Sequence, residues 1–309
     1  MKYVITISII LISLSCNKFA ANNNEDKNKN IAAATILLNQ RKSTAASVSS
    51  INFNVVSGTT NVSCSGSIAG TIAGATNAKL VDLKFYVHDI KLISSDGSKV
   101  DFSITTDNKW QMAAGSNAFG SYPGVALLDF EDATGNCSSG TTETNKTIYG
   151  TSAVGNYVGV EFKVGVPFYL NHMNVSTAAS PLNISAMYWA WASGYKFAKI
   201  EFLANSNTNM FHLGSGSCSG NSTGPVNPCG LPNRPTISLT KTSGGFDATR
   251  DTITLDLNTL YNGADASGTG ITNCMAGNGI AACQPIITNI GITVSTGASS
   301  GLQTAFSLK

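Results

Sequence analysis

The chain has 309 residues, a formal net charge of +2, and charged side chains at only 12% of its positions, about half the usual share. That balance excludes a nucleic-acid-binding polycation and gives no reason to expect a strongly acidic partner. The length suffices for one large all-β domain or two smaller ones, and the abundance of Gly, Ser, Thr and Asn favours turns and strands over long helices.

At the N-terminus, Lys2, the apolar run of residues 4–14 and Ser15-Cys16 read as an export signal. The small residue before Cys16 fits a bacterial lipoprotein signal, with Cys16 as the lipidated first residue of the mature chain. Ser13 stands where such signals usually carry Leu, so an ordinary secretory signal is the alternative. Either signal exports the chain to the periplasm or outer membrane, and the lipoprotein form anchors it there. Residues 17–50 include Asn22-Asn23-Asn24-Glu25-Asp26-Lys27-Asn28; they cannot build a core and read as a flexible tether with at most a short helix at 31–40. No later stretch approaches the roughly 18 apolar residues of a membrane helix.

The remaining residues, 51–309, read as one antiparallel β-sandwich domain with long disulfide-stapled loops. Ile51-Asn52-Phe53-Asn54-Val55 alternates at strand period, as does Leu83-Lys84-Phe85-Tyr86-Val87. The apolar phase then slips and resumes at Ile90 and Leu92, which predicts a β-bulge at His88-Asp89. Asp96-Gly97 is a hairpin-turn signal. Val158, Val160, Phe162, Val164 and Val166 give the clearest strand; Ala198, Ile200 and Phe202 repeat the pattern, as do Ile253, Leu255 and Leu257. Ile290, Ile292 and Val294 are expected in a last strand pair. Short strands separated by turn signals indicate a sandwich.

Beyond Cys16 there are six cysteines, an even number that reads as disulfides in an oxidising compartment, with 15 possible connectivities. Proximity favours Cys218–Cys229 and Cys274–Cys283, leaving Cys64–Cys137. A zinc site is disfavoured because no C-x-x-C pair occurs.

Candidate chemistry concentrates in residues 171–214, which hold His172, His212, Trp189, Trp191, Met187 and Met210. Imidazole and thioether are ligands for soft or borderline metals, copper above all. If 187–191 is a strand, Met187, Trp189 and Trp191 share one face; Met210 and His212 likewise share one. The plain alternative is core packing, the usual fate of a Met/Trp stripe. His88 is a weaker candidate that Asp89 and the bulge would hold at the surface. Asp129, Glu131 and Asp132 lack the periodic oxygen ligands of a calcium loop. There is no phosphate loop and no H-E-x-x-H.

Several of these motifs together resemble one family. They are Val125-Ala126-Leu127-Leu128-Asp129-Phe130-Glu131-Asp132 with Cys137 and Thr142-Glu143-Thr144-Asn145, Gly165-Val166-Pro167-Phe168 with Asn171-His172, and Pro181-Leu182-Asn183. Trp189-Ala190-Trp191 with Gly194-Tyr195-Lys196-Phe197, Phe211-His212-Leu213-Gly214 with Cys218, and Cys229 with Pro232-Asn233-Arg234-Pro235 complete the series. The series, from about residue 51 to 260, resembles the MbnP family, the four-cysteine proteins of the metallo-mystery pair systems. Its four cysteines correspond to Cys64, Cys137, Cys218 and Cys229, and the Cys274/Cys283 pair looks like an addition.

The resemblance implies a periplasmic copper-binding protein encoded with a di-haem enzyme similar to cytochrome c peroxidases. That enzyme oxidises a tryptophan of its substrate protein to kynurenine, which helps to bind the metal. An intact indole offers only an N–H donor, whereas opening its five-membered ring creates an aromatic amine and a ketone. Carried over by position, His172 and His212 become the imidazole ligands. Trp191 is the first candidate for oxidation, Trp189 the second and Trp110 the third, and Met187 or Met210 supplies a weak thioether contact. The protein is then a substrate of oxidation and a copper carrier, with no catalysis of its own. The competing function is a non-metal surface lipoprotein, an adhesin or structural envelope module.

Overall fold

The computed structural model of the protein describes residues 47–190, 193–219, 229–266, 273–275 and 279–309. The expected export signal, Cys16 and the tether as far as residue 46 lie outside the described residues, as does Trp191. In chain order the strands used below are β1 (Ser50–Ser57), β2 (Lys79–Ser94), β3 (Lys99–Asp101), β4 (Val125–Asp129), β5 (Thr147–Thr151), β6 (Tyr157–Val164) and β7 (Tyr188–Ala190). They continue with β8 (Gly194–Ala204), β9 (Asn207–Gly214), β10 (Thr236–Thr240), β11 (Thr252–Asp256) and β12 (Asn273–Met275); a short helix α1 (Gln284–Asn289) precedes β13 (Phe306–Leu308).

A larger sheet runs β10-β6-β2-β8-β9-β12, with β3 and β4 also paired to β2, and a smaller one contains β13-β11-β1-β5. Phe53 of β1 and Phe306 of β13 meet Phe85 of β2 and Phe162 of β6 edge to face, with ring centroids 5.5–6.2 Å apart. These rings close the two sheets over one apolar interior, the sandwich that the alternating pattern predicts. Pairing is mostly antiparallel, but β1 pairs with β11 and β9 with β12 in parallel.

The β-bulge forms where the apolar phase slips: Glu161 faces Lys91 and Lys163 faces His88, leaving one extra residue on β2. Asp89 there takes φ of +51°. Asp96-Gly97 turns β2 into β3, with Gly97 at φ +83°. Two local expectations change. Ile290 caps α1 instead of entering a strand, and Ile292 makes only an isolated bridge to Ser299. Pro285 at the start of α1 and the spacing of Ile286, Ile287 and Ile290 bury one face of a helical turn. Met187 ends a 3-10 turn (Ser185–Met187) before β7, so it does not continue the strand of Trp189.

The inner face of the larger sheet carries Leu83, Phe85, Ala198 and Ile200, paired across β2 and β8. Its other face is polar yet buried. Lys84 lies opposite Asp129 and Lys199, and Lys199 lies opposite His212, forming one row across β4, β2, β8 and β9. The chain between β6 and β8 covers part of this face: Tyr86 Oη donates to Pro181 O (2.9 Å) and Tyr195 Oη to Leu182 O (2.6 Å).

Candidate metal centre

His212 sits near the end of β9 on that polar face, 4% exposed. Its Nε2 lies 2.7 Å from Glu201 Oε1. An ionised carboxylate only accepts, so Nε2 carries the proton and a neutral ring keeps its lone pair on Nδ1. Nδ1 is buried and has no hydrogen-bond partner among the described residues. Burial pushes the Glu201 carboxyl up, but the His212 hydrogen bond and Lys199 outweigh it and hold it below the ordinary carboxylate value.

His172 follows the 3-10 turn Phe168–Leu170, in the excursion between β6 and β8. Asn171, fully buried, fixes it. Asn171 Oδ1 accepts from Tyr195 N (3.1 Å), so its Nδ2 faces His172 Nε2 (3.2 Å) and Ser215 Oγ (3.4 Å). An amide N–H donates, so His172 Nε2 is the acceptor and carries the lone pair. Gly194, at φ +76°, passes so close that a Cβ would lie 2.6 Å from Asn171 O, which is why glycine stands there.

Cys229 Sγ is 3.5 Å from the same Nε2, and the ligand atoms of His172, Cys218 and Cys229 all lie within 4.8 Å of one another. Cys218 and Cys229 form a disulfide, so this cluster offers an imidazole against a bridge and no thiolate. His212 stands outside it. Ser215, beside Asn171, is three residues beyond His212, about 10 Å along an extended chain.

The β7 indole of Trp189 approaches His212, with ring centroids 6.3 Å apart and planes tilted by 49°. It packs against Gly214, where a Cβ would come within 2.5 Å of Trp189 Cζ3. Asn233 Nδ2 donates to Gly214 O (2.8 Å) and Arg234 Nε to Val166 O (2.6 Å). The Pro232-Asn233-Arg234-Pro235 motif thus pins the end of β9 to the start of the His172 excursion.

The MbnP family model matches residues 46–276, three-quarters of the chain and all of the residues just described. The chain belongs to the MbnP family. Among solved structures it is similar to MbnP from Methylosinus trichosporium, at 28% identity and a TM-score of 0.70, over 85% of this chain and 98% of that one. No curated protein matches. The family match stops just after Cys274, yet β13, far beyond it, packs Phe306 into the core.

Within this MbnP fold the other candidates sit elsewhere. Trp110 carries the Lys109 ammonium over its ring (5.2 Å), and its carbonyl accepts from Leu127 N of β4. With β4, β2 and β8 between Trp110 and β9, about 20 Å of sheet separates it from His212. Met187 is fully buried as core packing, while Met210 is partly exposed two residues before His212. His88 is buried, against the expectation of a surface position, and its Nδ1 lies 2.8 Å from Gly165 O. Burial and the nearby Arg234 charge lower its pKa to about 3. Asp129 and Glu131 both face the Lys84 ammonium, which takes the place a calcium ion would need. Gly297-Ala298-Ser299-Ser300-Gly301 has the spacing of a nucleophile elbow, but no helix follows it and Ser299 Oγ accepts from Thr236 N (3.0 Å).

All three disulfides link the pairs that proximity favoured: Cys64–Cys137, Cys218–Cys229 and Cys274–Cys283. Glu201 and Lys199 were missed as site residues. Their signal was present, because charge is scarce in this chain and yet recurs at alternate positions of β2 and β8, Asp82/Lys84 and Lys199/Glu201.

Proposed function

We propose that this MbnP-family protein is an exported copper carrier, anchored through Cys16, whose site uses His172, His212 and a tryptophan oxidised to kynurenine by a di-haem partner enzyme. The observation that carries the reading is the buried, unpartnered Nδ1 of His212 beside the Trp189 indole. A lone imidazole nitrogen sealed from water costs free energy unless something binds it. His172 would supply the second imidazole once its Nε2 turns from the Asn171 amide that donates to it here, and two imidazole nitrogens suit a borderline or soft cation. When bound, copper would bring its affinity for nitrogen donors to this point. Among the described residues Trp189 is the tryptophan that proximity to His212 favours, ahead of Trp110; Trp191, the first candidate by resemblance, lies outside them. Its ring-opened form would supply an aromatic amine that the indole lacks.

In this reading the residues bind and orient, and do no chemistry on a substrate. Asn171 aims His172, Glu201 aims His212, and the Cys218–Cys229 bridge lies against His172. Two measurements test the proposal. Copper binding by protein made together with its oxidising enzyme is compared with a His172→Ala/His212→Ala variant, and equal affinities would refute the carrier reading. Peptide mass spectrometry should place a gain of about 4 Da, one oxygen added and one carbon lost, on Trp189. Modification at Trp191 or Trp110 in its place, or at no tryptophan, would overturn that assignment.

A further inference from the structure

The imidazole of His212 ends a ribbon of buried and half-buried charges that crosses the outer face of the larger sheet. At its far end Lys84 Nζ contacts Glu131 and lies 3.6 Å from Asp129 Oδ1. The same ammonium is 3.1 Å from Asp82 Oδ1, and Asp82 Oδ2 is 2.5 Å from Lys199 Nζ. Lys199 is 3.4 Å from Glu201 Oε1, the oxygen that also accepts from His212 Nε2 at 2.7 Å. Each carboxylate is thereby held by a neighbour, so the last one in the row has little freedom to turn away from the ring.

We propose that Glu201 is a positioning residue: clamped by Lys199, it keeps the proton of His212 on Nε2 and so makes Nδ1 the metal-facing atom. The inference rests on the copper reading above and adds to it which nitrogen binds and what selects that nitrogen. Two further observations support it. Metal-binding histidines usually donate their other ring N–H to a carboxylate or carbonyl, which fixes tautomer and ring plane and raises basicity. The ribbon also holds four carboxylates (Asp82, Asp129, Glu131, Glu201) against two ammonium groups (Lys84, Lys199). A cation on His212 would offset that excess of negative groups.

His172 presents the opposite nitrogen. There the lone pair sits on Nε2 and is engaged by Asn171 Nδ2, so the two imidazoles are under two different local controls. The ribbon thus governs His212 alone, which makes the effect separable by mutation.

The test uses the purified full chain with 15N-labelled histidine. At pH 8, long-range 1H–15N correlation of the wild type should show His212 protonated on Nε2 and bare on Nδ1. Glu201→Ala should lose that fixed tautomer and weaken Cu(I) binding 10- to 100-fold, measured by competition with a chromophoric chelator. Glu201→Gln, whose amide oxygen still accepts, should keep the tautomer and lose less affinity. Glu201→Ala added to His212→Ala should cost nothing beyond His212→Ala alone, because Glu201 acts only through that ring. A proton on Nδ1 in the wild type overturns the proposal. So does a Glu201→Ala protein that keeps both the tautomer and the affinity. Failure of the copper reading is read separately: if His212→Ala binds Cu(I) as tightly as wild type, copper does not use this ring, whatever the tautomer spectrum shows.

Discussion

Gly214 shows how one residue shapes the candidate metal centre. Its missing side chain is the floor on which the Trp189 indole lies, and the Tyr195 carbonyl would sit 2.9 Å from any Cβ added there. Gly214→Ala therefore forces the indole or the strand to move, at a cost of about 1–3 kcal/mol for overpacking. The expected outcome is a shifted tryptophan emission and, under the proposed oxidation, a lower yield of modified Trp189, with the global fold retained by circular dichroism. An unchanged emission spectrum would show that Trp189 does not rest on this glycine. Asn171 works in the same way from the other side: one buried amide ties Tyr195, Ser215 and His172 together. Its role was legible only in part, because Asn171-His172 stands out as a motif while the three partners are 24 to 44 positions away or adjacent.

At the level of strands, the polar face of β2 and β8 behaves as one electrostatic unit. Lys84 is nearly buried, and burial would lower its pKa; the carboxylates of Asp82, Asp129 and Glu131 outweigh that and hold it above the ordinary lysine value. Lys84→Met leaves those three carboxylates facing one another and should cost about 3–5 kcal/mol in urea unfolding at pH 7. The loss should shrink at pH 4, where protonation relieves the repulsion. Burial raises Asp129 to about 7 against Lys84's pull. Between about pH 4 and pH 7 the unfolded chain has therefore released a proton that the native chain still holds, so this group's contribution to stability falls as pH rises through that window. Asp129→Asn should flatten that part of the stability profile, and a profile parallel to wild type would show that Asp129 titrates normally. The strands themselves were easy to read, since Phe53, Phe85, Phe162 and Ile200 alternate with polar neighbours and all turn inward. The burial of the polar neighbours was not readable. Alternation says that Lys84 and Lys199 point away from the core, but irregular segments without periodicity, the β6–β8 excursion over Tyr86 and Tyr195 and the stretch after β4 that brings Glu131 to Lys84, cover that outer face. The 290–294 segment failed for a related reason: a short apolar run fits a strand or a helical turn equally well until its packing is known.

For the whole molecule, the disulfides tie loops that the sheets leave free. Cys64–Cys137 spans 73 positions and anchors the Gly-rich stretch before β2 to the loop after β4. By loop entropy its loss in a Cys64→Ser/Cys137→Ser variant should cost about 4 kcal/mol, seen as a lowered urea midpoint. A change under 1 kcal/mol would mean that the stretch stays ordered without the bridge. The parallel pairing of β1 with β11 has an effect of another kind. Asn52 lies beside Thr252, so a strand near the start of the domain is completed by one 200 positions later (252 minus 52). A chain that emerges N-terminus first, from a ribosome or through a narrow pore, holds that edge of β1 open until almost all of it has followed. The sandwich cannot close early and jam the passage, and the unpaired edge is the surface that a holding chaperone would have to shield meanwhile.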